Sequence, residues 1–210
     1  MKIIVGTGYN KGYRLLGDYT RQINAAYAQR HGYEFRSYCK NWDKRPASWH
    51  KILFAQHVID DCDWFIWVDA DACVVNPSIK VEQLIEGRER NFMILGRGKK
   101  NTWAFNMGIF ILRSCPKTKK FLQAVYGQKK FVNHQWWEQA AALHICEFKD
   151  PKKRANNKFA SNICVLDYGT IWSRPEDITD SVLIAHCAGG GKKIGAKKVM
   201  LKKVVEGFHD

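Results

Sequence analysis

Short apolar runs alternate with amphipathic stretches along the chain, and this alternation predicts an α/β fold. The clearest strand is Trp64–Val68, five consecutive apolar residues, which is typical of a strand buried on both faces of a mainly parallel sheet. No change in composition divides the chain. We therefore expect one domain over residues 1–210, with a mainly parallel central sheet and flanking helices.

The same hydrophobic periodicities predict the other strands and helices. Strands are predicted at 3–5, 33–38, 92–95, 107–112, 163–166 and 182–186, and helices at 15–27, 48–60, 116–126, 136–145 and 196–205. Loops are expected at 149–158 and in the glycine-rich segment 188–195.

Glycines follow the first predicted strand at positions 6, 8 and 12, which predicts a loop whose backbone approaches a ligand closely. The spacing is not that of a dinucleotide-binding fingerprint, and the chain contains neither a phosphate-binding P-loop motif nor a serine-hydrolase elbow. Oxidoreductase, P-loop kinase and serine-hydrolase functions are therefore not favoured.

Charge and cysteine content bear on the binding partner and the cellular location of the protein. The net charge is +14, with 16 basic and 11 acidic residues in 1–100 but 18 and 9 in 101–210. This excess indicates either an anionic partner or a basic, solvated surface. Seven scattered cysteines without a C-x-x-C pair, and no apolar run long enough to cross a bilayer, favour a soluble protein of the cytoplasm.

Two carboxylates, Asp69 and Asp71, directly follow the buried strand Trp64–Val68. Open α/β sheets bind ligands at the carboxyl ends of their strands, and paired carboxylates there can hold a hard divalent cation. The alternative is a pair of solvated aspartates in a turn.

A second candidate lies near the end of the chain, where His186 follows a predicted strand and precedes the glycines 189–191 and Lys192. An imidazole can share a manganese-type ion with carboxylates, while glycine backbone and lysine close over a diphosphate. Alternatively, His186 merely ends a strand before a mobile basic tail.

These pieces together resemble the retaining glycosyltransferases of the GT-A fold, in particular the family of α-galactosyl and α-mannosyltransferases and xyloglucan α-xylosyltransferases. The resemblance extends over residues 3 to 193 in unbroken order. It rests on Tyr27-x-x-x-His31-Gly32-Tyr33, Trp49-x-Lys51, Asp69-x-Asp71-Ala72, Asn106-x-Gly108-x-Phe110-x-x-Arg113, Glu138-Gln139-x-Ala141 and His186-x-x-Gly189-x-x-Lys192.

The resemblance implies a UDP-sugar as donor and Mn²⁺ (or Mg²⁺) as cofactor. It also implies a nucleotide-sugar half at 1–100, an acceptor half at 101–195 and a basic tail or helix at 196–210. The roles it assigns are as follows: Thr7, Gly8 and Tyr13 near the nucleotide; Asp69, Asp71 and His186 on the metal; Lys51, Gly189 and Lys192 at the diphosphate; Asn106 and Gly108 facing the sugar; Glu138 and Gln139 beside the anomeric carbon.

Glu138 is the catalytic residue that the resemblance implies. As a carboxylate it could act as a nucleophile, or stabilise an oxocarbenium-like centre while the acceptor attacks from the front. The alternative is an acidic residue favoured by the dipole of its helix N-terminus.

The basic runs exceed what one diphosphate needs, which favours a polyanionic acceptor. They are Arg97-x-Lys99-Lys100, Lys117-x-Lys119-Lys120, Lys129-Lys130, Lys152-Lys153-Arg154 and the lysine pairs at 192–193, 197–198 and 202–203.

DNA with hydroxymethylated bases, as some phages make, is narrowly preferred as acceptor, with Trp103, Trp136 or Trp137 stacking on an extruded base in a phage-infected host. An anionic glycan or glycolipid with peripheral membrane contact is the alternative, and a non-enzymatic nucleic-acid-binding module is a third. The tail is also compatible with an ordinary helix that packs through Val199, Leu201, Val204 and Val205 while its lysines stay solvated.

Overall fold

The computed structural model describes residues 1–99, 104–189 and 193–207. The strands are β1 (Ile3–Tyr9), β2 (Glu34–Cys39), β3 (Trp64–Val68), β4 (Ala72–Val74), β5 (Met93–Arg97), β6 (Phe105–Arg113), β7 (Ile163–Leu166), β8 (Trp172–Ser173) and β9 (Ile184–His186). The helices are α1 (Arg14–Arg30), α2 (His50–Val58), α3 (Val81–Ile85), α4 (Pro116–Tyr126), α5 (Trp137–Ile145), α6 (Pro151–Asn156) and α7 (Ile194–Gly207).

A six-stranded sheet with the order β2-β1-β3-β6-β5-β7 forms the centre of the fold. Only β6 runs against its neighbours, pairing antiparallel with both β3 and β5, while the other adjacent strands pair in parallel. The predicted mainly parallel α/β sheet is therefore confirmed. The sheet also joins strands from both predicted halves of the chain, and the assignment of donor and acceptor roles to those halves stays a prediction.

Helices bury both faces of this sheet. On one face, α2, α4 and α5 pack over the aromatic side chains Phe65, Trp67 and Phe110. On the other face, α1 and α3 enclose the aliphatic side chains of the same strands. Every residue of β3 is buried, as its continuous apolar run predicts.

A second, three-stranded sheet with the order β4-β9-β8 lies beside the carboxyl end of β3. Its strands have only two or three residues each, too few for the pattern of the sequence to reveal β4 and β8. The antiparallel pairing sets Ala72 opposite His186. This register brings the segment after β9 next to the two aspartates.

The glycine segment after the first strand is not the loop predicted from sequence, because β1 continues to Tyr9. A Cβ at Gly6 would lie 2.5 Å from Phe65, and a Cβ at Gly8 would lie 2.1 Å from the Tyr38 ring. These glycines therefore leave room for aromatic side chains on neighbouring strands.

Two predictions for the basic segments are wrong. Residues 151–156 form α6 instead of a loop, since the Asp150 carboxylate caps its N-terminus by accepting from two backbone N–H groups. In α7, Leu201 is buried but Val199 is 55% exposed, because residues two apart point to different sides of a helix. The α7 helix packs against α1 at the back of the small sheet.

No helix in the described ranges is both long and apolar enough to cross a membrane.

Candidate active site

A cavity of about 630 Å³ opens at the carboxyl ends of β1 and β3, beside the start of β6 and the N-terminus of α5. Eleven of the predicted site residues line it: Gly8, Tyr13, Lys51, Asp69, Asp71, Asn106, Gly108, Glu138, Gln139, His186 and Gly189. The fold thus gathers residues that lie up to 181 positions apart in the sequence (8 to 189).

Asp69 is held firmly at the end of β3. Its backbone N–H donates to the Gly108 carbonyl at 2.9 Å, which continues the pairing of β3 with β6. The indole N–H of Trp67 donates to Asp69 Oδ1 at 2.7 Å. These contacts leave the side chain partly exposed toward the cavity.

Asp71 is enclosed by the small sheet and by α7. Its carbonyl accepts from the Cys187 backbone N–H at 2.9 Å, and its Oδ1 lies 3.3 Å from His186 Nε2. Its Oδ2 lies 2.5 Å from the ammonium of Lys197. Burial favours the neutral carboxyl, but His186 and Lys197 outweigh it and hold the pKa of Asp71 well below its usual range.

Asp69, Asp71 and His186 each offer one ligand atom, and these three atoms lie within 4.8 Å of one another. Carboxylate oxygens and an imidazole nitrogen suit a divalent ion such as Mn²⁺. His186 Nδ1 is buried without a hydrogen-bond partner among the described residues. The three residues therefore fit the metal that the resemblance implies.

Gly108 makes room for His186. A Cβ at this position would lie 2.3 Å from His186 Cε1 and 2.9 Å from its Nε2. In the same strand, β6, the Oδ1 of Asn106 accepts from the Gly108 backbone N–H at 2.7 Å. The Asn-x-Gly pair thus shapes the wall of the cavity beside the metal ligands.

Lys51 joins the aspartate to the predicted catalytic residue. Its buried ammonium lies 2.7 Å from Asp69 Oδ1 and 3.1 Å from Glu138 Oε1, and it donates to the Met107 carbonyl at 3.1 Å. Burial alone lowers the pKa of Lys51, but the two carboxylates outweigh this effect and raise it above the usual value. Lys51 is therefore charged and fully occupied by protein partners.

Glu138 lies in the first turn of α5 and is only 4% exposed. Burial raises its pKa to about 7, although Lys51 acts in the opposite direction. Its Oε1 contacts Lys51, while its Oε2 is buried and has no hydrogen-bond partner in the described part of the chain. Gln139 is engaged by the backbone, because its Oε1 accepts from the Met107 N–H at 3.1 Å.

Among the described residues of the predicted set, Thr7 is the one that does not line the cavity. It is fully buried within β1, where successive side chains point to opposite faces of the sheet. Lys192 and the predicted stacking residue Trp103 lie outside the described residues.

The two tryptophans before Glu138 form part of the cavity wall. Trp137 is 40% exposed and has a φ angle of +40°, a left-handed conformation that is unusual for a bulky residue. Such backbone strain is often found at functional sites.

Sequence reasoning missed Lys197, which is 2% exposed and lines the cavity. The expectation that the lysines of this helix stay solvated is wrong at this position. A signal was present: Lys197 shares one helix face with Leu201, Val204 and Val205, at spacings of four, seven and eight residues. A lysine on an apolar face calls for a buried partner, and here that partner is Asp71.

Comparison with solved structures shows the fold. A glycosyltransferase involved in the glycosylation of the major capsid of PBCV-1 superposes with a TM-score of 0.74 at 14% identity, covering 97% of this chain and 100% of that one. Drosophila beta-1,4-galactosyltransferase 7, as a mutant in complex with manganese, UDP-Gal and xylobiose, gives a TM-score of 0.54 at 12% identity, covering 95% and 79%. The chain therefore has the GT-A fold of glycosyltransferases, as predicted.

Comparison with known sequences finds similarity over part of the chain. Residues 10–96 match the galactosyl transferase GMA12/MNN10 family. An uncharacterized alpha-1,2-galactosyltransferase of Schizosaccharomyces pombe is 31% identical over 78 residues, which cover 33% of this chain and 21% of that protein. The chain thus spans about a fifth of the length of this curated relative.

Fold and sequence together class the chain with the glycosyltransferases of the GT-A fold. Within that class, it resembles the GMA12/MNN10 galactosyltransferase family, and the resemblance predicted from the motifs is confirmed. The matched region contains Lys51, Asp69 and Asp71 and ends before Glu138.

Proposed function

We propose that the chain is a divalent-metal-dependent, retaining glycosyltransferase that moves a sugar from a UDP-sugar to a hydroxyl group of a glycan. One observation carries the proposal: three converging metal-type ligands and a buried carboxylate with a free oxygen share one cavity, and Lys51 bridges them. The GT-A fold and the family match support it independently.

Asp69, Asp71 and His186 would hold the metal, and Gly8, Tyr13 and Gly189 would enclose the nucleotide diphosphate. When bound, the metal neutralises the negative charge of the diphosphate and of the departing UDP. Trp67 and Lys51 keep Asp69 oriented, because each contacts its carboxylate within 3 Å. The bound manganese and UDP-Gal of the Drosophila neighbour support this choice of donor and cofactor type.

In the proposed transfer, the bond between the anomeric carbon and the diphosphate oxygen breaks, and its electron pair leaves with UDP. The acceptor oxygen bonds to the anomeric carbon, and its proton passes to a phosphate oxygen of the leaving group. Two roles fit Glu138. In the first, its Oε2, which has no partner among the described residues, bonds to the anomeric carbon as UDP leaves, and the acceptor oxygen then displaces this ester and restores the carboxylate. In the second, the carboxylate stabilises the positive charge that develops during direct front-side attack.

A glycan hydroxyl is favoured over DNA as the acceptor. A polyanionic acceptor was predicted from the basic runs, but several of their lysines form ion pairs within the chain: Lys99 with Asp177, Lys119 with Asp60, Lys197 with Asp71 and Lys202 with Glu206. The exposed indole of Trp137 offers the flat apolar surface on which a sugar ring packs. The predicted hydroxymethylated DNA base and the cytoplasmic location stay predictions.

The test is a UDP-release assay with UDP-glucose, UDP-galactose and UDP-xylose, in MnCl₂ or EDTA. The acceptor arms are xylobiose, methyl mannoside, hydroxymethylcytosine-containing DNA, unmodified DNA and none. We expect Mn²⁺-dependent release that a saccharide stimulates, with proton NMR of the product showing the donor's anomeric configuration. Stimulation by hydroxymethylated DNA alone would show that the acceptor is DNA and not a glycan. A product with the inverted anomeric configuration would contradict the retaining mechanism. DNA binding without turnover of any donor would favour the nucleic-acid-binding module.

A further inference from the structure

The C-terminal helix α7 places a positive charge directly on the metal site. Lys197 Nζ lies 2.5 Å from Asp71 Oδ2, and the lysine side chain is 2% exposed. The same charge interacts electrostatically with Tyr13, a residue that lines the cavity. A buried lysine in such contact neutralises a carboxylate that would otherwise be costly to bury.

The position of this ammonium conflicts with a divalent ion. Asp71 offers one oxygen to His186 and the other to Lys197, so both oxygens are engaged. A dication among Asp69, Asp71 and His186 would lie within a few ångström of the lysine charge, and like charges at that separation in a partly buried site repel strongly.

We propose that Lys197 is an internal cation that holds Asp71 in the metal-free protein and competes with the divalent metal for this carboxylate. This inference rests on the metal site of the proposed function. Metal binding then moves the ammonium away from Asp71, and the cost of that movement lowers the affinity for the metal. Because Lys197 belongs to α7, occupancy of the metal site is coupled to the packing of this helix on α1.

The test measures Mn²⁺ affinity by electron paramagnetic resonance, for Mn²⁺ alone and with UDP, in the full chain. Lys197→Met removes the charge at similar length, and Lys197→Gln keeps a hydrogen-bond donor without charge and serves if the methionine variant does not fold. Lys197→Arg keeps the charge. Lys203→Met is the matched control, because Lys203 is exposed on the same helix.

We expect the neutral variants to bind Mn²⁺ about tenfold more tightly or better, while Lys197→Arg and Lys203→Met keep the wild-type affinity. Hydrogen exchange within α7 should rise on Mn²⁺ addition in the wild type and not in Lys197→Met. Equal or weaker binding by the neutral variants overturns the competition but leaves the metal site intact. No Mn²⁺ binding by any variant, even with UDP, overturns the metal site and the competition together.

Discussion

The ammonium of Lys51 lies 3.1 Å from Glu138 Oε1 and 2.7 Å from Asp69 Oδ1, so one buried cation serves both the metal side and the proposed catalytic side of the cavity. Both the lysine and the glutamate have side chains only 5% exposed. Within the described part of the chain, Lys51 is the cation that contacts both carboxylates, and their geometry is coupled through it.

Replacing Lys51 by methionine should destabilise the protein as well as inactivate it. The change leaves two carboxylates near each other without their shared counter-charge, and breaking a buried ion pair in this way costs about 3 kcal/mol or more. Urea unfolding of the metal-free protein measures this loss. The double variant Lys51→Met/Glu138→Gln should regain part of the stability, and a double variant no more stable than Lys51→Met would contradict the coupling.

Glu138→Gln should remove transfer yet raise the stability of the metal-free protein at high pH. The pKa of Glu138 is about 7 in the folded protein and 4.5 in the unfolded chain, so ionising this buried group lowers the free energy of unfolding. Below pH 4.5 both states hold the proton and the cost is absent. It grows as the pH rises and is complete above pH 7, where it amounts to about 3 kcal/mol.

Melting temperatures of wild type and Glu138→Gln across pH 5 to 8.5 test this sign. The gap between the two proteins should widen with pH in favour of the glutamine variant. Glu86→Gln makes the same change at an exposed position and serves as the control. Its difference in melting temperature from the wild type should not widen comparably with pH. A gap that stays constant would mean that burial does not penalise the Glu138 charge.

Much of the site could be read from the sequence, because its ligands directly follow strongly patterned strands. Asp69 and Asp71 end the apolar run of β3, and His186 ends β9, so the topology of an α/β sheet brings them to one edge. The central strands and the long helices were predictable for the same reason. Their hydrophobic periodicity is set by burial in the core.

The rest depends on contacts that local patterns do not encode. The strands β4 and β8 exist only through pairing with β9, and Gly6 and Gly8 lie in a strand because aromatic rings from neighbouring strands need their space. Lys197 was missed because lysine is normally solvated, and its partner Asp71 lies 126 positions away.

Asp71→Asn should abolish the Mn²⁺-dependent binding of UDP while the chain still folds. Asparagine keeps the shape and the hydrogen-bonding oxygen but removes the charge shared with His186 and Lys197, so a stability loss of about 1–3 kcal/mol is expected. Isothermal calorimetry with UDP and Mn²⁺ measures the effect. Asp167→Asn, at a site 89% exposed, is the matched control, and full Mn²⁺-dependent binding by Asp71→Asn would exclude Asp71 as a ligand.

Gly108→Ala should weaken metal binding although Gly108 itself offers no ligand. The added methyl group would lie 2.3 Å from His186 Cε1, so the imidazole must shift from the position in which its Nε2 contacts Asp71. We expect a loss of Mn²⁺ affinity of about tenfold and a lower melting temperature. Gly195→Ala, in α7, adds a Cβ with no described atom within 4 Å, so it makes the same chemical change without a clash and should leave Mn²⁺ affinity unchanged.

Trp137→Ala should separate acceptor binding from donor chemistry. The indole is exposed at the cavity wall one residue before Glu138, so its removal takes away a surface for an acceptor ring without touching the metal ligands. Loss of one aromatic stacking contact corresponds to about 1 kcal/mol, or about a fivefold higher KM for the saccharide that stimulates the wild type. UDP-sugar hydrolysis in the absence of acceptor should stay near the wild-type rate. Trp137→Phe keeps an aromatic face and should recover most of the acceptor affinity, whereas equal losses of hydrolysis and transfer in Trp137→Ala would mean that the indole supports Glu138 instead of the acceptor.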